Sequence, residues 1–255
     1  MGSRPYSLAW ARGGIVAALL LCAAGAWLVL FSQQLMPATM TAGITMGMGA
    51  PLFLLMWVVM MIAMMFPSAA PIILTFARVQ AHKQQRGQGI VPTWLFVGAY
   101  LFIWALSGMI AYGLAAFADS LARLSPWLMM HSAIIGGALI VGAGLYQLSP
   151  LKRACLSKCR SPLHFVLGAW RDGYSGALRM GMEHGLYCLG CCWLLFLMLF
   201  PLGVMNLGAM LIITLLIFAE KSLPAHWRVT HITAAALIGY GVLVMVQPEL
   251  LPVGM

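Results

Sequence analysis

The feature that most constrains this chain is a succession of long apolar runs. Seven segments, near 13–31, 51–77, 93–118, 128–148, 182–201, 203–219 and 229–246, are almost free of charged side chains. Crossing a hydrocarbon core takes about 20 helical residues. In lipid the backbone must satisfy its own hydrogen bonds, and no sheet-like alternation is visible, so each run predicts a transmembrane helix. Composition agrees. Of 255 residues, 63% are hydrophobic and 7% charged, whereas a soluble domain carries about 25% charged residues. A chain so poor in charge cannot cover its surface in water. The expectation is an all-α polytopic transmembrane bundle of about seven spans, forming one domain. The tight turn around Pro201, Gly203 and Asn206 makes a hairpin of the fifth and sixth runs, and residues 149–180 form the one substantial loop.

Charge placement predicts orientation. Arg4 and Arg12 precede the first span, Arg78, Lys83 and Arg86 follow the second, and six Lys and Arg lie between the fourth and fifth. With Lys221 and Arg228, thirteen of the fourteen basic residues fall on one side; Arg123 is the exception. The positive-inside rule assigns that side, with the N-terminus and the 149–180 loop, to the cytoplasm and the C-terminus to the outside. The net charge of +9 therefore reads as a topological signal, and no nucleic-acid surface is expected. The first span lacks a signal-peptide cleavage site, and Leu21 stands where a lipoprotein signal would place a small residue before Cys22, so an uncleaved helix is expected.

The fifth run contains "HGLYCLGCCW", residues 184–193. On a helix, His184, Cys188 and Cys191 fall within an arc of about 60°, and Cys192 widens it to about 100°. They form one stripe about 12 Å long, too long for one ion. Cys188 can share an ion with Cys191 or Cys192, and His184 with Cys188, so another helix or a second ion must complete any site. Thiolates suit Cu(I) and Zn(II), and thioethers favour Cu(I). Against this stands packing: Gly190, Cys191 and Cys192 are small enough to let helices approach closely. A second pair, Cys155 and Cys159 in "ACLSKCR", shares one face if that segment is helical. Neighbouring Lys152, Arg153, Lys158 and Arg160 would favour its thiolates. The reducing cytoplasm argues against permanent disulfides.

The second run reads "MWVVMMIAMMFPSAAP". Met56, Met60 and Met64 recur every four residues, with Met61 and Met65 beside them, on a helix expected to be broken at Pro67 and Pro71. Methionine is a common core filler, but interrupted helices at mid-depth are where transport sites lie. A relay of thioethers is therefore expected, and the second span is the expected partner of the cysteine stripe. Glu183, which flanks the stripe, and Glu220, which ends the sixth span, are candidates for supporting its ligands. No nucleophile–base–acid set, phosphate-binding glycine loop or dinucleotide fingerprint is present. "EH" at 183–184 lacks the second histidine of a zinc protease.

Three blocks in order, "MWVVMMIAMMFPSAAP", "LYQLSPLKRACLSKCRSP" and "GMEHGLYCLGCCWLLFLMLFPLGVMNLGAMLIITLLIFAEKSLP", span about residues 50–225. Together they resemble the DUF2182 family, whose members are described as predicted metal-binding integral membrane proteins. The resemblance implies a helical bundle in the bacterial inner membrane, with His184, Cys188, Cys191 and Cys192 as suspected ligands and Cys155 and Cys159 nearby. The expectation is a protein that binds a soft metal, copper(I) ahead of zinc, in transport, handling or metalloprotein loading. Its partners would be the lipid bilayer, the metal ion, and a metallochaperone or membrane complex. A membrane thiol-disulfide oxidoreductase and a structural or assembly subunit are the alternatives.

Overall fold

The computed structural model describes residues 5–34, 45, 47–224 and 228–251, and all regular elements among them are helical. Arg4, one of the charges that argue orientation, lies outside them. In order the helices are α1 (Pro5–Gln34), α2 (Ala50–Gln85), α3 (Thr93–Leu124), α4 (Pro126–Met130), α5 (Ser132–Gln147), α6 (Pro150–Arg160), α7 (Pro162–Gly168), α8 (Gly173–Leu197), α9 (Leu199–Leu202), α10 (Leu207–Ser222) and α11 (Val229–Val246).

Five of these, including α8 continued through α9, are long and apolar enough to cross a membrane. A sixth is added if α5 and α6, bent by 63° at Leu148–Ser149, count as one span. All seven apolar runs are helical, but α5 and α10 have only 16 residues each, about 24 Å at 1.5 Å per residue. Asn206 starts α10 late, its Oδ1 accepting from the Ala209 amide at 3.1 Å, and Pro224 follows its end. Outward-facing side chains such as Leu28, Ile110, Phe117 and Ile232 are more than 60% exposed. That apolar exterior fits a lipid environment.

Burial identifies α2 as the central helix: 61% of its most apolar window is buried, against 22% for α1 and 28% for α3 and α11. The expected break at Pro67 and Pro71 is absent, for α2 runs through both without interruption. A proline inside a helix removes the hydrogen bond to the carbonyl four residues back. For Pro67 that carbonyl belongs to Ala63, and the Trp27 indole N–H of α1 donates to it at 3.1 Å. A neighbouring helix thus satisfies the freed group, which lets the helix continue in an apolar medium.

The expected loop 149–180 is also mostly helical. Ser149 caps α6, its hydroxyl accepting from the Lys152 amide at 3.1 Å, and Pro150 occupies the first turn, where no amide hydrogen is needed. Helix α6 packs against α8, and α5 packs along α11. The latter pair meets at glycines: a Cβ on Gly137 would lie 2.7 Å from the Gly241 carbonyl oxygen, and one on Gly241 equally close to that of Gly137. Such small-residue contacts replace the hydrophobic effect as the source of helix association in lipid.

Candidate metal centre

The stripe on α8 faces inward. His184, Cys188, Cys191 and Cys192 are each at most 2% exposed. Cys191 and Cys192 both donate their thiol hydrogens to the Cys188 carbonyl, at 3.1 and 2.8 Å. Gly190, on the same turn, admits α6: a Cβ there would stand 2.8 Å from Cys155 Sγ. The packing role of this glycine is therefore real, and its effect is to bring a second pair of thiols to the first. Helical spacing puts Cys155 and Cys159 on one face of α6. Cys155 therefore meets α8 at the Gly190 turn, and Cys159 stands one helical turn further along the same face of α6.

Three other helices reach the same place. The Lys221 ammonium of α10 donates to Cys188 Sγ at 3.1 Å and to the Ser68 hydroxyl of α2 at 3.1 Å. The Tyr100 hydroxyl of α3 is 3.3 Å from Cys188 Sγ. Cys188 is thus the hub of a buried polar knot built from α2, α3, α8 and α10, with α6 packed against α8 beside it. The second span, expected to bring methionines, reaches it through Ser68. Two of the basic residues around the α6 cysteines are directed elsewhere: Lys152 Nζ pairs with Glu220 Oε2 at 2.7 Å, and Arg160 Nε donates to the Glu220 carbonyl at 2.6 Å. Glu220 is therefore committed to α6. Glu183 pairs with Arg179 at 3.0 Å in a partly exposed contact, so neither carboxylate is bonded to a stripe residue.

His184 sits between aromatic walls. Its ring stacks on Tyr100 (5.4 Å between centroids) and Phe96 (6.1 Å), with Phe165 tilted against it at 5.5 Å. Neither ring nitrogen has a hydrogen-bond partner among the described residues. A buried donor–acceptor group left bare needs an explanation, and a ring nitrogen one turn from a cysteine has the chemistry of a ligand. Among the described residues, however, no three His, Cys, Asp or Glu side chains close on one point. The reason lies in the local bonding. Cys191 and Cys192 turn to the Cys188 carbonyl, and the Lys221 ammonium holds the position beside Cys188 that a cation would take. The donor set fits a soft metal, and coordination requires the thiols to rotate away from that carbonyl.

The five expected methionines, Met56, Met60, Met61, Met64 and Met65, are all buried. Met56, Met60 and Met64 form an i, i+4 row that Ser68 continues, leading to Lys221 and Cys188. At its far end a small cleft is lined by Met48, Phe53, Met56, Trp57, Met60, Val204 and Met205. Met60 precedes Ser68 by eight residues, about 12 Å along the axis. The cleft therefore lies about two helical turns from Ser68 along the same row. Sequence reasoning missed Lys221, Ser68, Tyr100, Met48 and Met205. The E-K and M-N pairs of the third block contain Lys221 and Met205, whereas one tyrosine among many aromatics gives no signal.

None of the curated proteins and none of the solved structures matches the chain. A family model described as PpoB2, copper chaperone, matches residues 54–244. The matched stretch contains the α2 methionine row, both cysteine groups, Glu220 and Lys221. It covers most of the chain, and its description supports copper handling; the chain belongs to the PpoB2 copper chaperone family.

Proposed function

We propose that this protein is a membrane-embedded copper(I) chaperone of the bacterial inner membrane, with the ion as its cargo. The methionine cleft at Met48, Met56, Met60 and Met205 is a weak entry station. The thiols of Cys188, Cys191 and Cys192, joined by Cys155 and Cys159 and with His184 at the edge, are the tighter one. Met64 and Ser68 lie on the row between them. The observation that carries this reading is the close approach of Cys155 on α6 to Gly190 of the cysteine stripe, because it supplies the second thiol-bearing helix that the stripe on α8 needs. Thioethers followed by thiolates favour Cu(I) over Zn(II), since only the softer ion binds well to both. With the N-terminus in the cytoplasm, the methionine cleft faces outward and the thiol station lies toward the reducing side. There the ion can be held, transported or passed to a metallochaperone or metalloprotein by ligand exchange.

Element analysis of the anaerobically purified protein tests the proposal. Copper is expected with the wild type and is expected to be lost from Cys188→Ser/Cys191→Ser/Cys192→Ser; absence of both copper and zinc from both proteins would overturn it. The same packing of α6 on α8 favours one other reading, a membrane thiol-disulfide oxidoreductase that cycles Cys155 and Cys159 against the α8 cysteines. Alkylation trapping in cells separates the two. Fully reduced cysteines support the chaperone, and a substantial oxidised fraction supports redox work. A purely structural subunit would instead keep full function in the triple serine variant.

A further inference from the structure

A buried lysine needs an anionic partner. Lys221 is 8% exposed, yet among the described residues no carboxylate pairs with it. The nearest acid in sequence, Glu220, is committed to Lys152. The partners of the Lys221 ammonium are the Ser68 hydroxyl and Cys188 Sγ, each at 3.1 Å. Two helices therefore hold a positive charge at a sulfur atom in the middle of the thiol knot, enclosed by protein.

We propose that Lys221 sets the charge of the thiol station and makes it accept a singly charged cation in preference to a doubly charged one. This rests on the metal-binding reading above. A cation that joins Cys188 enters beside a fixed positive charge, and the repulsion it meets scales with its own charge. For a second unit of charge at about 5 Å and an effective dielectric of about 20, the Coulomb penalty is on the order of a hundredfold in affinity. The ammonium sits on a flexible four-carbon stem and can retreat, so we expect at least a tenfold effect. The thiols alone do not make this distinction, because thiolate sites hold Cu(I) and Zn(II) alike. Lys221 adds it through charge. The same ammonium keeps Cys188 partnered while the station carries no cargo.

The test compares the full-length wild type with Lys221→Met, Lys221→Gln and Lys221→Arg in detergent under anaerobic conditions. Cu(I) and Zn(II) affinities are measured by competition with chromophoric chelators. In the two neutral variants the Cu(I)-over-Zn(II) preference is expected to fall at least tenfold, chiefly through tighter Zn(II) binding. Lys221→Arg, which keeps the charge, is expected to stay close to the wild type. Lys221→Gln keeps a polar group against Ser68, so it reports even if Lys221→Met does not fold. An unchanged preference in a folded neutral variant, with cysteine-dependent copper binding intact, would overturn the role of Lys221 and leave the copper reading standing. Loss of cysteine dependence in every protein, wild type included, would overturn both.

Discussion

The ion pair between Lys152 and Glu220 allows a quantitative test of how the thiol station is held together. Lys152 is 1% exposed and Glu220 2%, with 2.7 Å between Nζ and Oε2. At an effective dielectric of about 20 their attraction is about 6 kcal/mol. Withdrawing both ions from water costs several kcal/mol each, so the intact pair contributes little net stability. Removing one partner is a different matter. Lys152→Met leaves a buried carboxylate without its counter-ion, and Glu220→Met leaves a buried ammonium; each is expected to cost about 3–5 kcal/mol. The double variant restores electrical balance with groups of similar volume and should come within about 1 kcal/mol of the wild type. The coupling is then at least about 5 kcal/mol, read as a double-mutant cycle from unfolding in mixed detergent with denaturant. Because α6 carries Cys155 and Cys159 and α10 carries Lys221, the single variants should also weaken copper binding, and the double variant should recover it. Single variants within 1 kcal/mol of the wild type, or a double variant as unstable as the two singles summed, would refute the reasoning.

Two further predictions concern the scaffold. Trp27→Phe removes the donor to the Ala63 carbonyl and should cost about 1–3 kcal/mol, the penalty for a buried group left bare. In a Pro67→Ala background, where the new amide can take that carbonyl, the same change should cost clearly less; equal losses measured by thermal unfolding would disprove the assignment. The Lys83 ammonium and then the Trp170 indole N–H, both bonded to Asp172, hold its carboxyl below the usual carboxylate value. The contact's contribution is therefore present above the unfolded-state pKa of about 3.9 and fades as pH falls through the lower folded value. Asp172→Asn should remove that part of the acid dependence of melting, lowering the melting temperature slightly at neutral pH and leaving it unchanged at acid pH. A wild-type acid profile in the variant would count against it.

The helical class was legible because apolar runs of this length admit no other solution in lipid, and the α8 stripe followed from helical spacing alone. The shared face of Cys155 and Cys159 was legible too, conditional on a helix that Ser149 and Pro150 in fact start. What escaped was long-range. A lysine at the end of an apolar run has the sequence signature of an interfacial charge, and nothing local reveals that Lys221 turns inward to sulfur. Pro67 signals a break unless the indole 40 residues earlier is known to reach Ala63. The methionine helix reads as the partner of the stripe because both are soft-donor segments, and it reaches Cys188 through Ser68 and Lys221. The approach of α6 depends on Gly190, whose missing side chain makes room for Cys155, and nothing in the sequence pairs those two positions.

The Trp27–Ala63 contact also has an ordering in time. Helices enter the membrane in the sequence in which they are made, and the donor on α1 precedes the acceptor on α2. When the proline-containing turn arrives, its cap is already in place, and α2 need not wait for any later segment to become stable in lipid. The thiol station has the opposite schedule. Cys155 and Cys159 come first, the α8 cysteines next, and Lys221 only with α10, so both sets of thiols are synthesised before the charge that partners Cys188. Until α10 inserts, the buried Cys188 lacks its Lys221 partner, so the thiols of α6 and α8 must come together before the charge that joins them is in place.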